Sequence, residues 1–258
     1  AANVKSPCRK TNAGYLKRAV KSQSIGVRLS AFYRSRTRAT IYDHSMLTLV
    51  VATTNDGKLR EIRQLLGELP VRLRTLRDYP GVPAPEETGT TFEENARQKA
   101  VYYGAATGEL TVAEDSGLEI DALCGAPGVQ SARFGGEDST YPEKFALIYR
   151  QLAAAGAATS AARFVCALAL VRGSQVLFEA RGTVEGQIAP EPRGSGGFGH
   201  DPIFFYPPFG CTLAEAGDRK STVSHRGQAF RALRQELERR VAEGGGSHVQ
   251  ADAPGQSR

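Results

Sequence analysis

No run of eighteen or more apolar residues occurs in the sequence, which excludes an ordinary membrane-spanning helix. The four cysteines, Cys8, Cys124, Cys166 and Cys211, are scattered and form no CxxC pair, so neither a metal ribbon nor a disulfide framework is indicated. Cys166 lies inside an apolar run and reads as a small buried hydrophobe. Unclustered thiols point to a reducing, cytoplasmic compartment. There is no internal repeat and no GxxxxGK[ST] phosphate loop.

Acidic residues are nearly missing from residues 1–45, where ten Lys or Arg face Asp43 alone. The net charge of +6 therefore belongs to this stretch, and the rest of the chain is slightly acidic. Rich in Ser and Thr and lacking apolar periodicity, the stretch cannot bury enough surface to offset ordering entropy. It reads as a disordered extension: sequence upstream of a start at Met46, an organellar targeting segment, or a nucleic-acid-binding arm. Met46 is the only methionine and directly precedes the first strand. Residues 244–258 read as a disordered Gly/Ser/Pro-bearing tail.

What remains, residues 46–243, reads as one α/β domain with a mixed sheet. Leu47–Thr53 is an apolar, β-branched strand, followed by the loop Thr54–Lys58 and then Leu59, Ile62, Leu65 and Leu66 at helical spacing. Val71–Leu76 predicts a second strand, and Thr91–Glu94 a capping box opening a helix. That helix carries Phe92, Ala96, Ala100 and Tyr103 on one face. Leu110–Ala113 predicts a strand ending at Glu114-Asp-Ser-Gly117. Tyr141-Pro142 starts another helix, Arg172-Gly-Ser174 joins a hairpin, and a last helix runs from His225 to Glu243.

Four segments carry chemistry. Thr53, Thr54, Asn55, Asp56, Gly57 and Lys58 stand between a strand and a helix, where backbone N–H groups and the dipole favour an anion. Taken alone, this is also what a plain strand-to-helix turn looks like. Glu86, Glu87, Glu94, Glu114 and Asp115 supply carboxylates, of which two or three suffice for Mg²⁺, an ion that keeps several waters. Asp115 follows an apolar strand directly, and Ser116 adds a hydroxyl. In Gly196–Pro202, glycines allow close approach, Phe198 offers a ring to a base, and His200 and Asp201 offer polar edges. Finally, Ser224 is a candidate N-cap that places His225 and Arg226 at the positive end of the last helix, after Lys220.

In this order, Thr53–Lys58, Glu86–Gly89, Thr91–Ala96, Glu114–Leu118, Gly125–Val129, Ser131–Arg133, Phe198–Pro202 and Ser224–Gly227 resemble the inosine triphosphate pyrophosphatase (Ham1-type) family. The resemblance runs from about Leu47 to Arg239. It implies an elongated mixed β-sheet with flanking helices, two lobes around a central substrate cleft, and a homodimer. It further implies Mg²⁺-dependent hydrolysis of ITP, dITP or XTP to the monophosphate and pyrophosphate, which keeps these nucleotides out of nucleic acid. By the same resemblance, Thr53–Lys58 bind triphosphate, Asp115 is proton acceptor and metal ligand, and Glu86 is a second metal ligand. Ser116, Phe198, Gly199, His200, Asp201, Lys220, His225 and Arg226 contact the substrate.

Thr54, Glu114 and His200 depart from the family pattern, standing where glycine, aspartate and an aromatic residue are commoner. Three other readings are weighed beside this one: a nucleotide sensor without hydrolysis, a pyrophosphatase of another nucleotide, and a nucleic-acid-binding protein. The slightly acidic body argues against a stable nucleic-acid partner.

Overall fold

The computed structural model describes residues 47–244; the expectations for residues 1–45 and for the tail beyond 244 fall outside them. Seven strands form one mixed sheet in the order β2-β1-β3-β4-β5-β6-β7. They are β1 (Leu47–Val51), β2 (Val71–Thr75), β3 (Leu110–Ile120), β4 (Ala161–Arg172), β5 (Gln175–Ile188), β6 (Phe204–Tyr206) and β7 (Cys211–Thr212). β1 is parallel to β2 and β3, and every later pair is antiparallel. The helices are α1 (Asp56–Leu66), α2 (Phe92–Thr107), α3 (Tyr141–Ala154), α4 (Lys220–Val223) and α5 (His225–Gly244). No described helix is long and apolar enough to cross a membrane.

Local signals place most of these elements. Thr91 and Thr140 cap α2 and α3 through boxes with Glu94 and Glu143, satisfying N–H groups the helices cannot bond internally. Gly173, at φ 57°, turns β4 into β5 at the predicted hairpin. α5 buries Phe230, Leu233 and Leu237 completely, as their spacing predicts.

Strand β3 differs from the sequence reading. It does not end at Glu114 but continues to Ile120, paired with β4 along its whole length. Glu-Asp-Ser-Gly has poor strand propensity, yet each of these residues has a β4 partner, and the ladder overrides the propensity. Side chains alternate across the sheet, so Glu114 and Asp115 project from opposite faces. On the even-numbered face, Leu110 and Val112 join a core with α1 and α5, while Leu118 and Ile120 join a second core with α3 and β6. Glu114 and Ser116 lie between these two cores. A one-residue slip would turn all four apolar side chains to the wrong face. At about 1.5–3 kcal/mol each, that cost fixes the register and with it the side on which each carboxylate stands.

Candidate active site

The site forms where β1 stops. β1 pairs with β3 only as far as Val51 opposite Val112, while β3 runs on. α1 packs into the core on one face of the sheet and α2 into that on the other, so the chain changes direction between β1 and β3. Crevices at the carboxyl end of a strand beside such a switch are where open α/β sheets bind ligands. Here the crevice is a cavity of about 320 Å³ bordered by residues from both faces of β3. That volume lies at the small end of the range of roughly 300–1,000 Å³ usual for ligand sites.

On the even face the centre is Arg226, only 2% exposed. Its Nε donates to Glu114 Oε1 at 3.2 Å, Nη1 to Glu61 Oε2 at 2.6 Å and Nη2 to Ser116 Oγ at 2.9 Å. Glu114 also takes Lys58 Nζ at 3.2 Å and the Cys166 thiol at 2.9 Å. Burial opposes the charge on Glu114, but Arg226 and Lys58 outweigh it and hold the carboxyl far below the usual range. Lys220 Nζ bridges Asp201 at 2.7 Å and Glu61 at 3.3 Å. A buried charge is tolerated only when paired in this way.

On the odd face Asp115 is 6% exposed and meets α2. Asn95 Nδ2 donates to its Oδ2 at 3.1 Å, the Ser116 N–H to Oδ1 at 3.0 Å, and Lys99 Nζ stands 3.5 Å from Oδ1. Lys99 also donates to Glu87 at 2.7 Å, and Arg133 reaches the other Glu87 oxygen at 3.1 Å. Burial pushes the Asp115 carboxyl above its ordinary value, because Lys99 and Lys58 compensate only in part. Lys99 moves up as well: burial lowers it, and Asp115 and Glu87 more than reverse that.

Loops close the cavity. The Asn55 side chain caps α1 by accepting from the Lys58 N–H at 3.0 Å, which aims Lys58 back at Glu114. Gly57 lets Phe198 approach: a Cβ there would stand 3.3 Å from the ring. At Gly197, φ is 70° and a Cβ would fall 2.1 Å from Asp201 Oδ2, so only glycine fits. The Asp201 carboxylate takes the Phe198 N–H at 2.8 Å and fixes that turn. Lys220 Nζ and Arg226 Cζ lie 4.9 and 5.5 Å from the Phe198 ring centroid. At the start of α5, Ser224 Oγ accepts the Gly227 N–H, the cap its sequence position predicts. Gly182 of β5 lets this start pack close, since a Cβ would collide with the His225 carbonyl. The His225 ring stacks on Phe164 at 4.9 Å, and its buried Nδ1 has no partner. His200 Nε2 is likewise buried and unpartnered. Burial drives both imidazoles toward the neutral form, His200 to about 4.

Most of the expected residues come together here. Thr53, Thr54, Asn55, Lys58, Asp115, Ser116, Phe198, Gly199, His200, Asp201, Lys220, His225 and Arg226 all border the cavity. Gly57 lies behind it against Phe198. Asp56 points away and pairs with Arg77 on the surface, both side chains 70% exposed. Glu86, expected as a second metal ligand, is exposed and does not border the cavity, whereas Glu87 is half-buried and does. In an extended loop adjacent side chains point opposite ways, and Lys99 with Arg133 hold Glu87 inward. Glu61 and Lys99 lie outside every segment singled out in the sequence, and Asn95 and Arg133 stand there only as members of the motifs Thr91–Ala96 and Ser131–Arg133, with no site role. The signal was present: Phe92, Asn95, Ala96, Lys99, Ala100 and Tyr103 share one helical stripe, and Asn95 and Lys99 interrupt its apolar character.

Comparison with known proteins gives the same family that the motifs suggest. A sequence profile of the Ham1 family matches residues 49–236. A dITP/XTP pyrophosphatase of an Exiguobacterium species is 47% identical over 192 residues, covering 74% of this chain and 97% of that protein. A dITP/XTP pyrophosphatase of Geobacter sulfurreducens is 44% identical over 193 residues, covering 74% and 97%. Among solved structures, a HAM1 protein from Coxiella burnetii superposes with a TM-score of 0.71 at 41% identity, covering 75% of this chain and all of that one. The chain belongs to the Ham1 family.

Proposed function

We propose that this protein hydrolyses non-standard purine nucleoside triphosphates, ITP, dITP and XTP, to the monophosphate and pyrophosphate. One observation carries the reading: a single cavity joins the Asp115–Lys99–Glu87 cluster on one face of β3 to the Arg226–Phe198–His225 pocket on the other. The first suits a phosphate anhydride and the second a purine. The relatives reported above are named dITP/XTP pyrophosphatases, which supports this reading.

Hydrolysis of the anhydride needs charge neutralisation, an oriented water and a proton acceptor more than covalent assistance. Lys58, Lys99 and Lys220 border the space the phosphates would occupy. Water oxygen bonds to phosphorus, the bridging P–O bond breaks toward pyrophosphate, and the released proton passes to Asp115. Burial makes this carboxylate a better acceptor than a free aspartate. Asn95, itself held by the Gly89 N–H at 2.8 Å, fixes its orientation. Mg²⁺ fits the same corner. Glu87 and Asp115 present hard oxygens to one point, and the Lys99 ammonium already bridges them as a cation. Among the described residues no group of three or more His, Cys, Asp or Glu side chains gathers to hold a metal. When bound, the ion would neutralise phosphate charge and acidify a water.

Base choice falls to the second pocket. Inosine and xanthosine carry an acceptor oxygen where adenosine carries an amino donor. Arg226 uses three of its five N–H groups within the protein, and the His225 ring borders the same pocket. Donors from these two groups accept a 6-oxo purine and repel a 6-amino one. A homodimer, implied by the family resemblance, completes the reading.

A triphosphate panel with and without Mg²⁺, scored by pyrophosphate release, tests the proposal. ITP, dITP and XTP are expected to turn over well above ATP, with Mg²⁺ required. Binding without pyrophosphate release would identify a sensor instead. Equal ATP turnover would remove the base assignment.

A further inference from the structure

We propose that Tyr141 forms a wall of the nucleotide pocket and packs against the purine base, a role that rests on the purine-nucleotide reading above. The cavity is lined by charged groups, Lys58, Lys99 and Asp115 at one end and Lys220 and Arg226 beside Phe198, and by the rings of Tyr103, Tyr141, Phe164, Phe198, His200 and His225. The charged groups suit phosphates, which leaves the base to the rings. Within this set Tyr141 stands apart. It is the most exposed aromatic side chain among the described residues, at 39%, on a cavity where the other rings are largely packed away. It also lies outside every motif that identifies the family.

The ring is held ready rather than free. Tyr141 is the first residue of α3, whose cap binds the Thr140 N–H and hydroxyl to Glu143 at 2.7 and 2.8 Å. Pro142 follows and restricts the backbone there. The His200 ring stands perpendicular to it with centroids 5.3 Å apart, and the Phe145 ring lies tilted at 6.0 Å. Lys144 Nζ, tied to the Ala132 carbonyl at 2.6 Å, lies 5.0 Å from the ring centroid. A Cβ at Gly199 would stand 3.5 Å from the Tyr141 hydroxyl, so the glycine loop comes right up to the start of α3. Little side-chain freedom is left to lose when a ligand arrives, which favours binding. A flat base laid on the exposed part of the ring would remove it from water and stack on it. Because stacking reads area rather than hydrogen-bond pattern, Tyr141 adds affinity for any purine, and the 6-oxo choice stays with His225 and Arg226.

Calorimetric titration of the full chain with IMP, which has the base, and with pyrophosphate, which lacks it, tests the role. Tyr141→Ala is expected to weaken IMP about tenfold, the effect of one base–aromatic stack, and to leave pyrophosphate within twofold. Tyr141→Phe should keep both affinities. The natural sequence has no tryptophan, so Tyr141→Trp installs a single reporter whose emission IMP should quench and pyrophosphate should not. IMP affinity within twofold of wild type in Tyr141→Ala, or an equal loss for pyrophosphate, overturns the inference while the proposed function stands. A wild-type protein that neither binds IMP nor cleaves ITP overturns both.

Discussion

Glu114 and Asp115 are neighbours in sequence, both buried carboxylates, and the structure treats them oppositely. Glu114 faces α1 and α5 and is locked between Lys58 and Arg226, its charge strongly favoured. Asp115 faces α2, has a more distant cation at 3.5 Å, and is pushed by burial toward accepting a proton. The difference arises from one peptide step across a pleat. A tightly paired carboxylate builds the site, while an under-compensated one is available for chemistry. Cys166, expected as a buried apolar filler, also serves the structural carboxylate through its thiol.

The largest test of this contrast is Asp115→Asn. It should lower kcat for ITP by about a thousandfold or more, roughly 4 kcal/mol of barrier, with the thermal midpoint nearly unchanged. Unchanged turnover would end the assignment. Glu114→Gln should do the reverse in kind: it leaves Arg226 and Lys58 short of a partner and should cost on the order of 3 kcal/mol of unfolding free energy in urea titrations.

Acid separates the pair further. The folded-state value of Glu114 is depressed, so its stabilisation is complete above its ordinary value of 4.5 and is lost as pH falls below it. The value of Asp115 is raised, so its ionised form costs stability at neutral pH and that cost disappears in acid. Unfolding free energies measured from pH 7 to 3 should fall less steeply for Glu114→Gln than for wild type, and more steeply for Asp115→Asn. His200 adds a second slope: its value drops from 6.5 to about 4, so stability falls as pH goes from 6.5 toward 4. That contribution is on the order of 2–3 kcal/mol, and His200→Phe should abolish it. The smallest effect belongs to Asp56→Ala, which removes an exposed ion pair with Arg77. Activity within twofold and stability within about 0.5 kcal/mol are expected; a large loss of activity would place Asp56 back in the site.

Much of this was legible beforehand. The capping box at Thr91, the helix start at Tyr141-Pro142, the Gly173 hairpin and the stripe of α5 are local patterns, and local patterns survive folding. Even within α2, Asn95 and Lys99 could have been read as polar breaks in an apolar stripe. Which of Glu86 and Glu87 turns inward could not, because Lys99 and Arg133, distant in sequence, decide it. The Glu114–Gly117 segment looked like a strand end because its composition is that of a turn, and only the β4 partner shows otherwise.

The sequence by itself determined the family, the elements with strong local signals and the kinds of group available: carboxylates, lysines and a set of rings. Tertiary structure decided which of them share a cavity and which are paired. The physical reason is that side-chain direction on β3 depends on register. Register is set by burying Leu110, Val112, Leu118 and Ile120 in two cores built from segments far along the chain.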